Sequence, residues 1–285
     1  MTVDVDVNGK RVHLVDVDGG CDQPVVVLLH GISASWRWFI EIIPMMATSH
    51  RVIALDLPGF GGSEYSSAHT SFAGLAEAVG ATCTALGIEK ASIVGHSMGS
   101  IVGTRLAISE PDLVDKLVIT GGPILSLTEL PRRPVHTVLR QPRSVATLFT
   151  ELLTIAVPVP ASVGRRVASS ATLLKLLLGP FVENPERLDP EVMAHVMAAL
   201  GARGSFPTIW STFAEDPSKD LERLACLTRI IHGPGDPLSP KSDVDRFLRL
   251  VPSASAVDVA GTGHWPHLEK PHEFVAELRA FLSQP

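Results

Sequence analysis

The stretch Ala91-Ser92-Ile93-Val94-Gly95-His96-Ser97-Met98-Gly99 decides how this chain is read. Ala91 to Val94 has the character of a short buried strand, and Ser100 to Ser109 reads as a helix. Between them, Gly95-His96-Ser97-Met98-Gly99 fits the pattern G-x-S-x-G. A strand that turns sharply into a helix forces the residue at the turn into a strained backbone conformation. Small neighbours let the chain fold that tightly, and Gly95 and Gly99 supply them. The expected product is a serine hydroxyl held in front of a helix N-terminus, where the dipole and the free N–H groups favour negative charge.

Five residues match by chance easily, so the weight comes from three further segments. His30-Gly31 follows the apolar run Val25 to Leu29. Asp236 lies in His232-Gly233-Pro234-Gly235-Asp236-Pro237, after Leu227 to Ile231. His264 lies in Gly261-Thr262-Gly263-His264-Trp265-Pro266, after Ala256 to Val259. Each begins where a predicted parallel strand ends, and in open α/β sheets the active site collects at the carboxyl ends of the strands. The chain order is Ser, Asp, His.

From about Val25 to the C-terminus these segments closely resemble the α/β-hydrolase superfamily, in its serine-nucleophile esterase branch. Asp56-Leu57-Pro58-Gly59-Phe60-Gly61-Gly62-Ser63 is similar to that family's loop after the fourth strand. The resemblance implies an α/β fold with a mostly parallel central sheet flanked by helices. It also implies a helical cap inserted after the sixth strand, giving a core of residues 1–123 and 221–285 and a cap of 124–220.

Ser97 is the expected nucleophile. A serine hydroxyl needs a base within reach, and His264 is the candidate. Asp236 is expected to hold the other ring nitrogen and stabilise the imidazolium. In this family the oxyanion donors are the backbone N–H of the residue after the nucleophile and one from the His-Gly loop, by position Met98 and Ile32. His96 is expected to pack inward, His30 to support the oxyanion loop, and His232 to be structural. His267 and His272 are expected to be exposed. Trp265 either packs under the histidine loop or forms a wall of the substrate pocket, and Trp36 and Trp38 divide in the same way.

The 285 residues carry 45% hydrophobic side chains and a net charge of −6. That balance supports a sizeable core and argues against non-specific nucleic-acid binding, which needs basic surface. Cys21, Cys83 and Cys226 are few, odd in number and far apart, which suggests neither a disulfide framework nor zinc spacing. No metal or cofactor is expected. The start, Met1 to Asp6, carries acid where a signal peptide carries base, and no apolar stretch reaches membrane-span length. A cytoplasmic location is the default expectation.

Val3 to Val7 and Val12 to Val17 alternate apolar and polar residues around Asn8-Gly9, a hairpin signature. Trp36 to Met46 and Phe72 to Leu86 have helical spacing. From Ile124 to about Asp220 the strand–helix alternation stops, and repeated prolines break a helical pattern. Alternation resumes at Leu227, and Pro271 to Leu282 reads as the closing helix.

The nucleophile narrows the chemistry. Haloalkane dehalogenases and epoxide hydrolases of this fold place Asp at the elbow, and those epoxide hydrolases use cap tyrosines; here the position is Ser97 and the one tyrosine is Tyr65. Carboxylester hydrolysis leads, with thioester or lactone hydrolysis and cofactor-free perhydrolysis beside it. Carbon–carbon hydrolysis of a diketone-like substrate is the alternative, weakened because Ile32-Ser33-Ala34-Ser35 is poorer in glycine than those enzymes usually are. A binding protein or a biosynthetic cyclase reusing the fold is a further reading. Leu173 to Leu178 suggests a greasy pocket for a hydrophobic small-molecule substrate. The cap carries Arg132, Arg133, Arg140, Arg143, Arg165, Arg166 and Lys175 against Glu129, Glu151 and Glu183. That basic surplus is either a solvated face or a receiver for an anionic group or a carrier protein.

Overall fold

The computed structural model describes residues 1–18, 23–155, 158–211, 214–216 and 218–285. Eight strands form one sheet: β1 (Thr2–Val7), β2 (Lys10–Val17), β3 (Val25–Leu29), β4 (Arg51–Leu55), β5 (Ala91–His96), β6 (Val114–Thr120), β7 (Leu227–His232) and β8 (Ala254–Asp258). Their order is β1-β2-β4-β3-β5-β6-β7-β8. The hairpin β1–β2 is antiparallel and pairs antiparallel with β4; from β4 to β8 every neighbour is parallel. Asn8 and Gly9 both have positive φ, as a two-residue turn matched to the strand twist requires.

The side chains of β3 alternate between the two faces of the sheet. Val27 and Leu29 enter one apolar cluster, with Phe72, Leu75 and Val102 from flanking helices. Val26 and Leu28 enter another, with Phe39, Phe274 and Leu278. Burial on both faces explains why β3 reads as a continuous apolar run rather than an alternating one. Every parallel strand ends on the same sheet edge, so the loops after β3, β4, β5, β7 and β8 meet there.

Between β6 and β7 the chain is helical, and three of its helices, Pro134–Arg140, Pro142–Ile155 and Pro190–Ala198, begin with proline. Proline suits the first helical position, where no N–H partner is needed, and it ends whatever precedes it. A third apolar cluster joins this insertion to the core through Trp38, Leu174, Phe181, Met193 and Trp265. Among the described residues no helix is long and apolar enough to cross a membrane.

One helix expectation fails. Trp36 to Met46 forms a single 3₁₀ turn, Trp36–Phe39, and a separate short helix, Ile42–Met46. A continuous helix would need an N–H from Pro44 to reach the carbonyl of Ile40, and proline has none. Cys83 is buried and Cys226 half-buried, both as free thiols, while Cys21 lies outside the described residues.

Candidate active site

Ser97 closes β5 and opens the helix Met98–Ser109 with φ 52° and ψ −118°. Such a conformation costs about 1–3 kcal/mol for a residue with a Cβ and persists only where the surroundings enforce it. Here they do. The Ser97 N–H donates to the Thr120 carbonyl at 2.9 Å, and the Ser97 carbonyl accepts from the Ser100 N–H at 2.9 Å. A Cβ on Gly95 would stand 2.3 Å from the Gly99 carbonyl oxygen, and one on Gly99 would stand 2.1 Å from that of Leu29. Both glycines are therefore required by close backbone approach.

Asp236 follows β7 and is almost fully buried. Its Oδ1 accepts from the N–H groups of Leu238 (2.8 Å) and Ser239 (3.2 Å), which leaves Oδ2 to accept from His264 Nδ1 at 2.8 Å. The bond fixes the tautomer: the proton sits on Nδ1 and Nε2 keeps its lone pair. Nε2 has no hydrogen-bond partner, and His264 and Ser97 line the same cavity. Burial works against protonation of His264, but the charge and hydrogen bond of Asp236, with smaller contributions from Glu151 and Glu269, outweigh it and raise its pKa above the ordinary 6.5. A base must be neutral, so kcat/KM should fall as pH drops through a value above about 6.5. A pH profile that stays level down to pH 5 would remove His264 as the base.

Met98 and Ile32 both line the smaller chamber of this cavity together with Ser97. Met98 is the first residue of its helix, so its N–H has no intrahelical partner. Ile32 lies in the loop after β3 and, like Ser97, lines the cavity. That loop is braced from beneath. His30 Nδ1 bonds the Gly31 carbonyl oxygen at 2.7 Å, and His30 Nε2 accepts from the Leu57 N–H at 3.0 Å. The Asp56 carboxylate accepts from the N–H groups of Trp36 and Gly62, both at 2.7 Å. The loop after β4 thus acts as a support for the loop after β3.

The cavity has two chambers, of about 320 and 180 Å³, which share Ile32, Ser97 and Glu151. Trp38, Phe181, Met197 and Trp265 help wall the larger, and Leu148, Leu152 and Ile209 the smaller. Among the described residues, no lysine or arginine lines either chamber. The basic residues of the insertion, Arg143, Arg165, Arg166 and Lys175 among them, are exposed instead.

Two expectations need correction. Trp36 lines neither chamber; its backbone is tied to Asp56 and its ring packs at the edge of the apolar layer on the far side of the sheet. Trp38, two residues on, takes the wall position, with its ring 4.9 Å from that of Trp265. His267 is fully buried, stacked among His96, Phe39 and Phe274. Burial and the neighbouring His264 push it down to about 3, so it packs as a neutral ring. His272 is exposed, and His232 bonds Asp258 and the Ser239 carbonyl, as a structural histidine should.

The family description "alpha/beta hydrolase fold" matches residues 24–271. The chain belongs to the α/β-hydrolase family. Over 278 residues it is 26% identical to the sn-1-specific diacylglycerol lipase of Mus musculus, covering 94% of this chain and 83% of the relative. It is 27% identical over 289 residues to the 2-hydroxy-6-oxononadienedioate/2-hydroxy-6-oxononatrienedioate hydrolase of a Pseudomonas species, covering 98% and 94%. Among solved structures, a thermophilic esterase from Thermogutta terrifontis superposes with a TM-score of 0.72 at 21% identity, covering 99% and 98%. This α/β-hydrolase is thus a hydrolase whose relatives include a lipase and a hydrolase of 2-hydroxy-6-oxononadienedioate.

Two site residues of this α/β-hydrolase were not singled out in the sequence. Glu269 Oε1 accepts from the N–H groups of Gly263 (2.8 Å) and Trp265 (3.3 Å), and its Oε2 accepts from the Glu183 N–H at 2.8 Å. It clamps the loop that presents His264 and ties it to the insertion. Glu151, on the helix Pro142–Ile155, enters the cavity beside Ser97. Removal from water raises its pKa, the Asp236 charge adds to that rise, and His264 opposes it. Glu269 had a weak signal, an acid five residues after the histidine. Glu151 had none, because only the fold of the insertion carries it to Ser97.

Proposed function

We propose that the chain is a serine hydrolase that cleaves an ester, thioester or lactone of an uncharged hydrophobic molecule through an acyl-enzyme on Ser97. The observation that carries this reading is the Asp236–His264 bond, which leaves Nε2 unprotonated and without a hydrogen-bond partner on a residue that lines the same cavity as Ser97. His264 Nε2 takes the hydroxyl proton as Ser97 Oγ attacks the carbonyl. The tetrahedral oxyanion is received by the N–H groups of Ile32 and Met98, each worth about 3 kcal/mol in such sites. The imidazolium returns its proton to the leaving oxygen or sulfur. Water then repeats the sequence, giving its proton to His264 and its oxygen to the acyl carbon, and Ser97 leaves with the proton restored.

In this reading the insertion is a lid over Ser97, and its apolar walls exclude water and strengthen the polar contacts at the reacting carbonyl. Two chambers that meet at Ser97 suit a substrate with an apolar arm on each side of the scissile bond, the longer in the larger space. The carbon–carbon alternative rests on the Pseudomonas relative, whose named substrates are dicarboxylates. Among the described residues a carboxylate has no lysine or arginine to meet in either chamber and would face Glu151, so the neutral ester is favoured.

A fluorophosphonate probe tests the nucleophile directly. Rapid labelling of the wild-type chain and none of Ser97→Ala is the expected result; equal labelling of both, or of neither, overturns the reading. Glu151→Gln tests the charge assignment. With that negative charge gone, the acid limb of kcat/KM should move to lower pH, and half-esters bearing a free carboxylate should gain on neutral esters. An unmoved limb would mean that Glu151 does not sense His264.

A further inference from the structure

The outer surface of the insertion combines three features in one short stretch. Residues 131–178 are about one-sixth of the chain but hold eight of the thirteen large exposed apolar side chains among the described residues. The same residues hold seven lysines and arginines and one acid, Glu151, which lies in the cavity, while the whole chain is net −6. The cavity also opens here. Leu153 and Val163 both line the larger chamber, yet they are 72% and 50% exposed.

The helices present these features together. On Pro142–Ile155, the residues Arg143, Ala146, Phe149 and Leu153 recur at spacings of three or four, so they share the outward stripe. Phe149 is 61% exposed. On Ala161–Ala168, Val163 and Arg166 stand three apart, with Arg165 beside them, all exposed. Leu153 and Val163 both line the larger chamber while standing exposed, which places the two stripes at its mouth. Apolar side chains interleaved with arginines around a pocket entrance are costly to leave in water, and an isolated soluble protein has little reason to gather them.

We infer that this face docks on a lipid–water interface carrying anionic headgroups, with Phe149, Leu153 and Val163 dipping into the acyl boundary and Arg143, Arg165 and Arg166 on the headgroups. The charge chooses the partner: a basic patch on an acidic protein orients that face toward a negative surface. The apolar stripe sets the depth, since it lies along the surface and no described helix is suited to crossing. The cavity mouth would then face the layer in which apolar molecules are dissolved, so a substrate could enter without passing through water.

The test is sedimentation of the full chain with phosphatidylcholine vesicles, with and without added phosphatidylglycerol, at low and high salt. Binding should require phosphatidylglycerol and weaken with salt. Replacing Arg165 and Arg166 together by Ser should weaken it about 25-fold, at about fivefold for each basic residue near such a surface. Phe149→Asp should abolish it. None of these three residues lines the cavity, so both variants should keep the wild-type melting temperature and probe labelling. No binding to anionic vesicles at low salt overturns the inference. So does a wild-type chain that self-associates through this face, seen as a dimer that Phe149→Asp converts to monomer. The readout needs no turnover, so its failure is distinct from failure of the hydrolase reading.

Discussion

Replacing Asp236 by Asn should lower kcat by about four orders of magnitude while leaving the fold intact. The size of the effect follows from the hydrogen bonds. Oδ1 is already committed to two backbone donors, so in the variant the amide oxygen takes that place and the NH₂ group points at His264. A donor facing Nδ1 forces the imidazole proton onto Nε2, which then cannot accept the proton of Ser97. The loop keeps its shape because the oxygen's contacts survive, so the melting temperature should hardly change. Steady-state kinetics with a chromogenic ester and a thermal melt settle it together. Activity within a factor of ten of wild type would mean that another carboxylate orients the histidine.

Chain length should produce the next largest effect. Across acyl esters from two to ten carbons, kcat/KM should climb steeply from acetyl and then level off when the chamber is full. Each methylene moved from water into an apolar site gains about 0.8 kcal/mol, about fourfold, so four of them could give about 200-fold. The larger chamber, about 320 Å³ and walled by Trp38, Phe181, Met197 and Trp265, has the room and the lining for this. A steady fall from acetyl onward would show that the acyl arm does not use this space, and the assignment of the chamber would have to be abandoned.

What could be read in the sequence, and what could not, follows a physical line. Ser97, Asp236 and His264 were legible because each sits where a strand ends, and strands announce themselves through apolar runs closed by glycine or proline. The hairpin was legible because Asn8-Gly9 tolerates positive φ at both turn positions. Trp36 and Trp38 could not be separated, because the helical spacing assumed there was wrong and the 3₁₀ turn rotates them differently. His267 was misplaced for a related reason: it lies on the short helix Pro266–Glu269 that turns its ring inward, and a histidine in sequence carries no mark of burial. Glu151 depends on how a proline-broken insertion packs, which local pattern does not encode.

The insertion and the histidine loop are joined by main-chain atoms. The Phe181 carbonyl accepts from the His264 N–H at 2.7 Å, and the Glu183 N–H donates to Glu269. Every residue type offers a carbonyl at position 181, and every type but proline an N–H at 183. The side chain of Phe181, which walls the larger chamber, can therefore be exchanged without removing the brace that holds the base in register. Reshaping the chamber and preserving the chemistry are, at this joint, separable problems. A library confined to residue 181 should return altered chain-length preferences with the pH profile unchanged.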